Sequence, residues 1–173
     1  TFLAEQGGWI TEAHHHSDDR DGIFFMRQEI RADSIPSSIE EFRERFAPIA
    51  ERFNMEWKIT DRRQPKKVAL LVSKHDHCLS DIFHCWRIGE YNIEITSVIS
   101  NHPDCAELTA MHGIDYHHIP MTKDTKAAAF EEIEQCLENE QPEVLVLARF
   151  MQIMPPHLCA KYAEQIINIH HGF

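Results

Sequence analysis

The residue pair best suited to chemistry lies near the end of the chain, where Asn168 and His170 follow the apolar residues Ile166 and Ile167. The apolar run predicts a strand over 166–169, and residues two apart on a strand point to the same side. The amide and the imidazole should therefore project together at the carboxyl end of that strand. An amide NH2 can donate to a developing oxyanion and an imidazole can carry a proton, as acyl chemistry requires. The spacing leaves a second interpretation open, in which both side chains only cap the strand and its turn.

A second polar segment, with His75, His77 and Cys78, directly follows the first continuous apolar run, 68–72. Folds that alternate strands and helices often place a glycine-rich phosphate loop at that point. No glycine occurs over 68–88, so a phosphate cradle is not expected there. The His and Cys types admit a zinc site, but their spacing matches no structural zinc motif. Ordinary loop residues are the favoured interpretation, and no metal site is predicted.

The loop after the apolar run 144–148 combines large apolar side chains with one arginine. An apolar loop with methionines at the carboxyl end of a strand suits a flat heteroaromatic ligand, whose ring edge the backbone can read. A hydrophobic lid over the following helix is the competing interpretation, and the residue types alone favour it. The residues concerned are Arg149, Phe150, Met151, Ile153 and Met154.

Other polar segments carry weaker signals. Asn101 follows a predicted strand, and contact with a ligand and capping of the next helix are equally supported there. The histidines at 14–16 are interpreted as solvent or interface residues, and His117 and His118 as packing residues of a strand.

The elements that must position these residues alternate between strands and helices from residue 68 onward. Continuous apolar runs are typical of strands buried on both faces, and the alternation predicts a doubly wound, mostly parallel α/β sheet. The carboxyl ends of parallel strands share one edge, so the polar loops should meet there. The predicted strands are 68–72, 93–99, 115–119, 144–148 and 166–169, and the predicted helices are 78–87, 105–112, 125–139 and 155–162.

The first sixty residues follow a different order of helix, strand, strand, helix, strand. This order is one first strand short of a ferredoxin-like βαββαβ unit. The charged segment 61–67 contains a proline and no apolar residue, which predicts a linker. We therefore expect an N-terminal domain at 1–61, a linker at 62–66 and a second domain at 67–173. The N-terminal elements are a helix end before Gly7, strands 9–13 and 23–31 around a turn at 18–22, a helix capped by Ser37-Ser38 that continues to about Phe53, and a strand at 55–60.

Composition restricts the function classes. The 173 residues carry a formal net charge of −11, which disfavours a nucleic-acid partner. No apolar run has the length of a membrane helix and the start lacks a signal pattern, so we expect no membrane partner. Five cysteines without a C-x-x-C pair indicate reduced thiols and a cytoplasmic location. Neither end has the pattern of a natural terminus, and we expect a piece of a longer protein.

Several of these segments together resemble a known family. Residues 167–171 look like the Asn-x-His catalytic motif of formyltetrahydrofolate-dependent formyltransferases, and 148–154 look like their folate-binding loop. The segments 77–81, 99–104 and 117–120 resemble the deformylase branch of that fold. Residues 1–60 look like an ACT domain without its first strand. The resemblance spans the whole chain, and the motifs are specific in combination.

The resemblance implies a hydrolase that converts 10-formyltetrahydrofolate and water to tetrahydrofolate and formate, supplying formate for purine synthesis and needing no cofactor besides its folate substrate. It implies that Asn168 stabilises the oxyanion and that His170 is the general acid and base, with a partner aspartate beyond the chain end. Gln152 and the second of two prolines depart from the family pattern. The substrate contacts implied are Arg149, Phe150, Met151, Ile153, Met154, His77, Cys78 and Asn101.

The ACT-like region predicts an amino-acid effector and a homo-oligomer. Two other functions stay open: a formyltransferase to an amine acceptor, and a non-catalytic module for ligand sensing or assembly. The glycine-free loop after the first buried strand favours water over a phosphorylated acceptor.

Overall fold

The structure, a computed structural model, describes residues 2–169 and divides into two compact units. Unit 1 is Thr1–Arg62 and unit 2 is Arg63–Phe173. The division falls inside the charged segment that the sequence predicts as a linker.

Unit 1 contains a β-hairpin and a capped helix. The hairpin pairs β1 with β2 in antiparallel register, and its turn is closed by the Asp18 carboxylate, which accepts from the Arg20 N–H at 2.9 Å. Helix α2 begins after Ser38, which forms a capping box with Glu41. These predicted elements are confirmed, except that β1 continues through the histidines at 14–16 to Asp18, well beyond the predicted strand 9–13. Their bounds are α1 Phe2–Glu5, β1 Ile10–Asp18, β2 Ile23–Ile30, a 3-10 turn Ala32–Ser34, and α2 Ile39–Arg52.

The strand predicted over 55–60 is wrong. That segment is irregular: alternation of apolar residues favours a strand, but it does not supply a partner strand, and no ladder forms here within residues 2–169. Its groups find other partners instead. The Trp57 ring meets the Phe46 ring edge-on with centroids 5.2 Å apart, and the Arg43 guanidinium donates to the Ile59 carbonyl at 2.6 Å. The described part of unit 1 thus contains a two-stranded sheet.

Unit 2 is a five-stranded parallel sheet in the order β5-β4-β3-β6-β7. All nine predicted strands and helices of this unit are confirmed, with end points shifted by up to two residues. Within residues 2–169 no helix combines the length and the apolar character needed to cross a bilayer. The bounds are β3 Lys66–Val72, α3 His77–Arg87, β4 Ile93–Ser100, α4 Ala106–Met111, β5 Asp115–His118, α5 Lys126–Glu140, β6 Val144–Ala148, α6 Pro156–Lys161 and β7 Ile166–Ile169.

The central strand β3 contributes side chains to two hydrophobic cores on opposite faces of the sheet. Ala69 and Leu71 pack with α5 and α6, whereas Leu70 and Val72 pack with α3. The chain runs from β3 outward through β4 to β5 and then returns to build β6 and β7 on the other side. The strand order therefore reverses between β3 and β6, which in open α/β sheets is the place for a ligand cleft at the carboxyl ends.

Glu140, the last residue of α5, ties that helix to two strands. Its carboxylate accepts from the Ser97 hydroxyl at 2.6 Å and the Thr96 hydroxyl at 3.0 Å, and it meets the His117 ring at 3.0 Å. Ser97 is fully buried, so its hydroxyl depends on this carboxylate for a partner.

Replacing Glu140 by alanine is expected to lower the free energy of unfolding by about 1–3 kcal/mol, because it leaves the buried Ser97 hydroxyl without its hydrogen-bond acceptor. Urea unfolding followed by circular dichroism measures the change. Glu138→Ala is the matched control, since Glu138 pairs with Lys161 at the surface and such pairs contribute at most about 1 kcal/mol. Equal losses for the two variants would contradict this account of Glu140.

Candidate active site at the carboxyl edge of the sheet

Three strands of unit 2 end at one level. Val72 of β3 is in register with Ser100 of β4 on one side and with Ala148 of β6 on the other. The next residue of each strand is therefore the first residue of a loop at this edge. These first loop residues are Ser73, Asn101 and Arg149.

The Ser73 hydroxyl joins the other two loops. It donates to the Asn101 side-chain oxygen at 2.8 Å and accepts from the Met151 backbone N–H at 3.0 Å. Ser73 and Asn101 are both buried. The structure thus brings the predicted substrate residues Asn101 and Met151 onto one hydroxyl, which the sequence analysis did not identify. Its only sequence signal was a small polar residue directly after a continuous apolar run.

Cys105 also contacts Ser73. Its thiol lies 3.6 Å from the Ser73 carbonyl oxygen, and the Ser100 hydroxyl lies 3.5 Å from the same oxygen. Burial, followed by the charge of Asp76, raises the pKa of the Cys105 thiol. The group therefore stays protonated at neutral pH and acts as a donor rather than as a nucleophile.

Arg149 brings the loop after β6 to the start of α3. Its backbone has a φ of +60°, which is costly for a residue with a side chain, and its N–H donates to the Leu147 carbonyl at 3.0 Å. One guanidinium nitrogen lies 3.4 Å from Nε2 of His77. Since a guanidinium can only donate, the His77 ring is the acceptor in this contact. Two predicted substrate residues 72 positions apart are thereby paired.

The apolar residues of the loop separate into two groups. Phe150 and Met154 are buried in the core, and the Phe150 ring meets Phe130 edge-on with centroids 6.4 Å apart. Met151 and Ile153 are 50% and 84% exposed. The loop is therefore anchored by two side chains and offers two others to its surroundings.

The two predicted substrate residues on α3, His77 and Cys78, differ in burial. His77 is exposed at the first position of α3, whereas Cys78 is half-buried and packs against the core that contains Leu70 and Val72. The His75 and His77 rings lie 6.4 Å apart. Among residues 2–169, no group of three or more His, Cys, Asp or Glu side chains could hold a metal ion.

Asn168 lies on β7, the edge strand next to β6. It is in register with Leu147, so it points to the same face of the sheet, and its side chain is exposed. Within residues 2–169 this amide is exposed at the carboxyl end of the outermost strand, where it can donate a hydrogen bond. The predicted partner His170 lies outside the described residues.

Comparisons with known proteins show what this arrangement is similar to. Residues 66–173 match the family described as formyl transferase. A formyltetrahydrofolate deformylase of Corynebacterium sp. (strain P-1) is 37% identical over 172 residues, covering 99% of this chain and 60% of that protein. The crystal structure of a formyltetrahydrofolate deformylase from Pseudomonas syringae pv. tomato is 51% identical with a TM-score of 0.93, covering 99% of this chain and 58% of that one.

A structure with a different name matches less of the chain. A phosphoribosylglycinamide formyltransferase from Coxiella burnetii is 26% identical with a TM-score of 0.56, and it covers 62% of this chain and 52% of its own. The chain spans about 60% of the length of the curated relatives it matches.

Proposed function

Since this chain belongs to the formyl transferase family, we propose that it forms part of an enzyme that hydrolyses 10-formyltetrahydrofolate to tetrahydrofolate and formate. One observation carries the choice of reaction. Relatives named formyltetrahydrofolate deformylase align with 99% of the chain, whereas a relative named phosphoribosylglycinamide formyltransferase covers 62% of it. The relatives named formyltetrahydrofolate deformylase therefore align with both unit 1 and unit 2.

The proposed reaction needs a donor for an oxyanion and a carrier for a proton. Water adds to the formyl carbon, a C–O bond forms, and the carbonyl oxygen becomes an oxyanion. The C–N bond then breaks, the folate nitrogen takes a proton, and formate leaves. We assign the oxyanion contact to the Asn168 amide, which is exposed at the carboxyl edge. The family resemblance supports His170 as the group that takes the proton from water and gives it to nitrogen.

The loop after β6 is proposed to bind the folate ring. Met151 and Ile153 present apolar surface to a flat ring, while Phe150 and Met154 hold the loop against the core. Arg149, His77 and Asn101 lie at the same edge and are further proposed substrate contacts. Cys78, which packs against the core, is proposed only to help shape this part of the site.

The start of α3 supports water as the acceptor. A phosphorylated amine would need backbone N–H groups that approach a phosphate closely, which glycines permit. Here Asp76 precedes α3 and adds a negative charge at that helix start. The lack of glycine over 68–88 and this carboxylate both disfavour a phosphate site.

Unit 1 is proposed to be an ACT-like domain, 1–61, joined by 62–66 to the catalytic part, 67–173. Its hairpin exposes several large apolar side chains, which supports assembly into a homo-oligomer and an effector site for an amino acid. A cytoplasmic location belongs to the same proposal, because all five cysteines are free thiols. The exposed apolar residues are Trp9, Ile10, Ile23, Phe24, Phe25 and Met26.

The test is formate release by a full-length protein that contains this chain. Supplied with 10-formyltetrahydrofolate and no amine, it should release formate and tetrahydrofolate in equal amounts. The competing function, transfer of the formyl group to an amine, predicts turnover only when an amine is present. Dependence on an added amine would therefore overturn the proposal.

A further inference from the structure

The direction of the two hydrogen bonds at Ser73 is determined by chemistry. A backbone N–H can only donate, so the hydroxyl accepts from Met151 at 3.0 Å. The hydroxyl has a single proton, and the Asn101 side-chain oxygen at 2.8 Å is the acceptor it reaches. Ser73 therefore accepts from one loop and donates to the other.

This arrangement fixes which way the Asn101 amide faces. Its oxygen Oδ1 is engaged by Ser73, so the NH2 group must point elsewhere. No hydrogen-bond partner for that NH2 lies among residues 2–169. Asn101 itself is 9% exposed, so the NH2 group is what this side chain presents at the carboxyl edge of the sheet. Such a group donates to a carbonyl oxygen.

The same hydroxyl sets the position of the loop after β6. Met151 is the first loop residue past the buried Phe150, and its backbone is held by Ser73 while its side chain stays half exposed. Loss of the hydroxyl would release Met151 without disturbing Phe150, whose ring is packed on Phe130.

The fold of this edge does not depend on the hydroxyl. The backbone of Ser73 is held through its carbonyl oxygen, which the Cys105 thiol and the Ser100 hydroxyl approach. Replacing serine by alanine leaves both contacts in place. The two side-chain hydrogen bonds thus serve the two loops rather than strand β3.

We propose that Ser73 is a positioning residue of the active site: it turns the Asn101 NH2 group toward a carbonyl oxygen of the folate substrate and holds the substrate loop at Met151. The inference rests on the proposed function, since it names the donor and the support of that same site. It assigns to Asn101 a contact with substrate and to Ser73 an action through Asn101 and Met151.

Steady-state kinetics of formate release by the full-length protein test the proposal. Ser73→Ala is expected to lower kcat/KM about tenfold, because each of two loops loses the hydrogen bond that places it. Asn101→Ala should lower it by a similar factor. In the double variant the effects should not add, because Ser73 acts partly through Asn101.

Ser97→Ala is the matched control, because it removes a fully buried serine hydroxyl that bonds to Glu140 instead of to a loop of this edge. It should lower the urea midpoint while kcat/KM stays within about twofold of the unsubstituted protein. An equal drop in kcat/KM for Ser97→Ala, or an unchanged kcat/KM for Ser73→Ala, would overturn the positioning role. Fully additive effects of Ser73→Ala and Asn101→Ala would overturn the action through Asn101.

Amide hydrogen exchange gives a readout that does not depend on activity. In Ser73→Ala the Met151 N–H loses its acceptor, so its exchange should accelerate at least about tenfold while the amides of β3 stay protected. Unchanged exchange at Met151 would sink the inference even if formate is released. If the unsubstituted protein releases no formate but Met151 behaves as expected, the proposed function fails and the hydroxyl's hold on the loop stands.

Discussion

Replacing Asn168 by alanine is expected to slow formate release by about 10²–10³-fold, the cost typical of removing one oxyanion donor. The side chain is exposed at the end of β7, so the free energy of unfolding should change little. The loss should appear in kcat more than in KM, because the donor is needed most when negative charge develops on the formyl oxygen. Formate production by a coupled dehydrogenase assay measures both constants.

Asn139→Ala is the control for Asn168→Ala. It makes the same chemical change at an exposed position of α5, whose amide oxygen is bonded to Gln135, and it should leave kcat unchanged. A kcat of Asn168→Ala within about threefold of the unsubstituted protein would exclude the amide as the oxyanion donor.

Phe130→Ala is expected to lower the free energy of unfolding by about 3–5 kcal/mol, the range for removing a large aromatic side chain from a core. Phe130 is 2% exposed on α5, and its ring meets Phe150 of the substrate loop edge-on. The cavity would therefore form beneath the loop, and KM for the folate should rise as well. Urea unfolding gives the stability change from the shift in midpoint at constant slope.

Met111→Ala is the comparison for the core substitution. Met111 is 77% exposed at the end of α4, so its removal should change the free energy of unfolding by less than about 0.5 kcal/mol. A loss below about 1 kcal/mol for Phe130→Ala would mean that the site collapses around the smaller side chain and that the loop is supported elsewhere.

Local patterns in the sequence were sufficient to predict the architecture of unit 2. The continuous apolar runs at β3 and β6 can be buried on both faces only inside a parallel sheet, and helices between strands follow from their apolar spacing. The cap at Ser38 was equally readable, because a capping box is made within four residues. The same reasoning failed at 55–60. This alternating segment does not pair with a strand; instead the Ile59 carbonyl accepts from Arg43 and the Trp57 ring packs on Phe46.

The sequence by itself determined which residue types gather at the carboxyl edge, because strand order and direction place the loops after β3, β4 and β6 together. Only the tertiary structure decided which of them touch. Ser73 reaches Asn101 across 28 positions and Met151 across 78. The loop divides into the buried Phe150 and the exposed Ile153 for the same reason. Hydrogen-bond partners and burial depend on distances between segments that are remote along the chain. The spacing of residue types within one segment does not determine those distances.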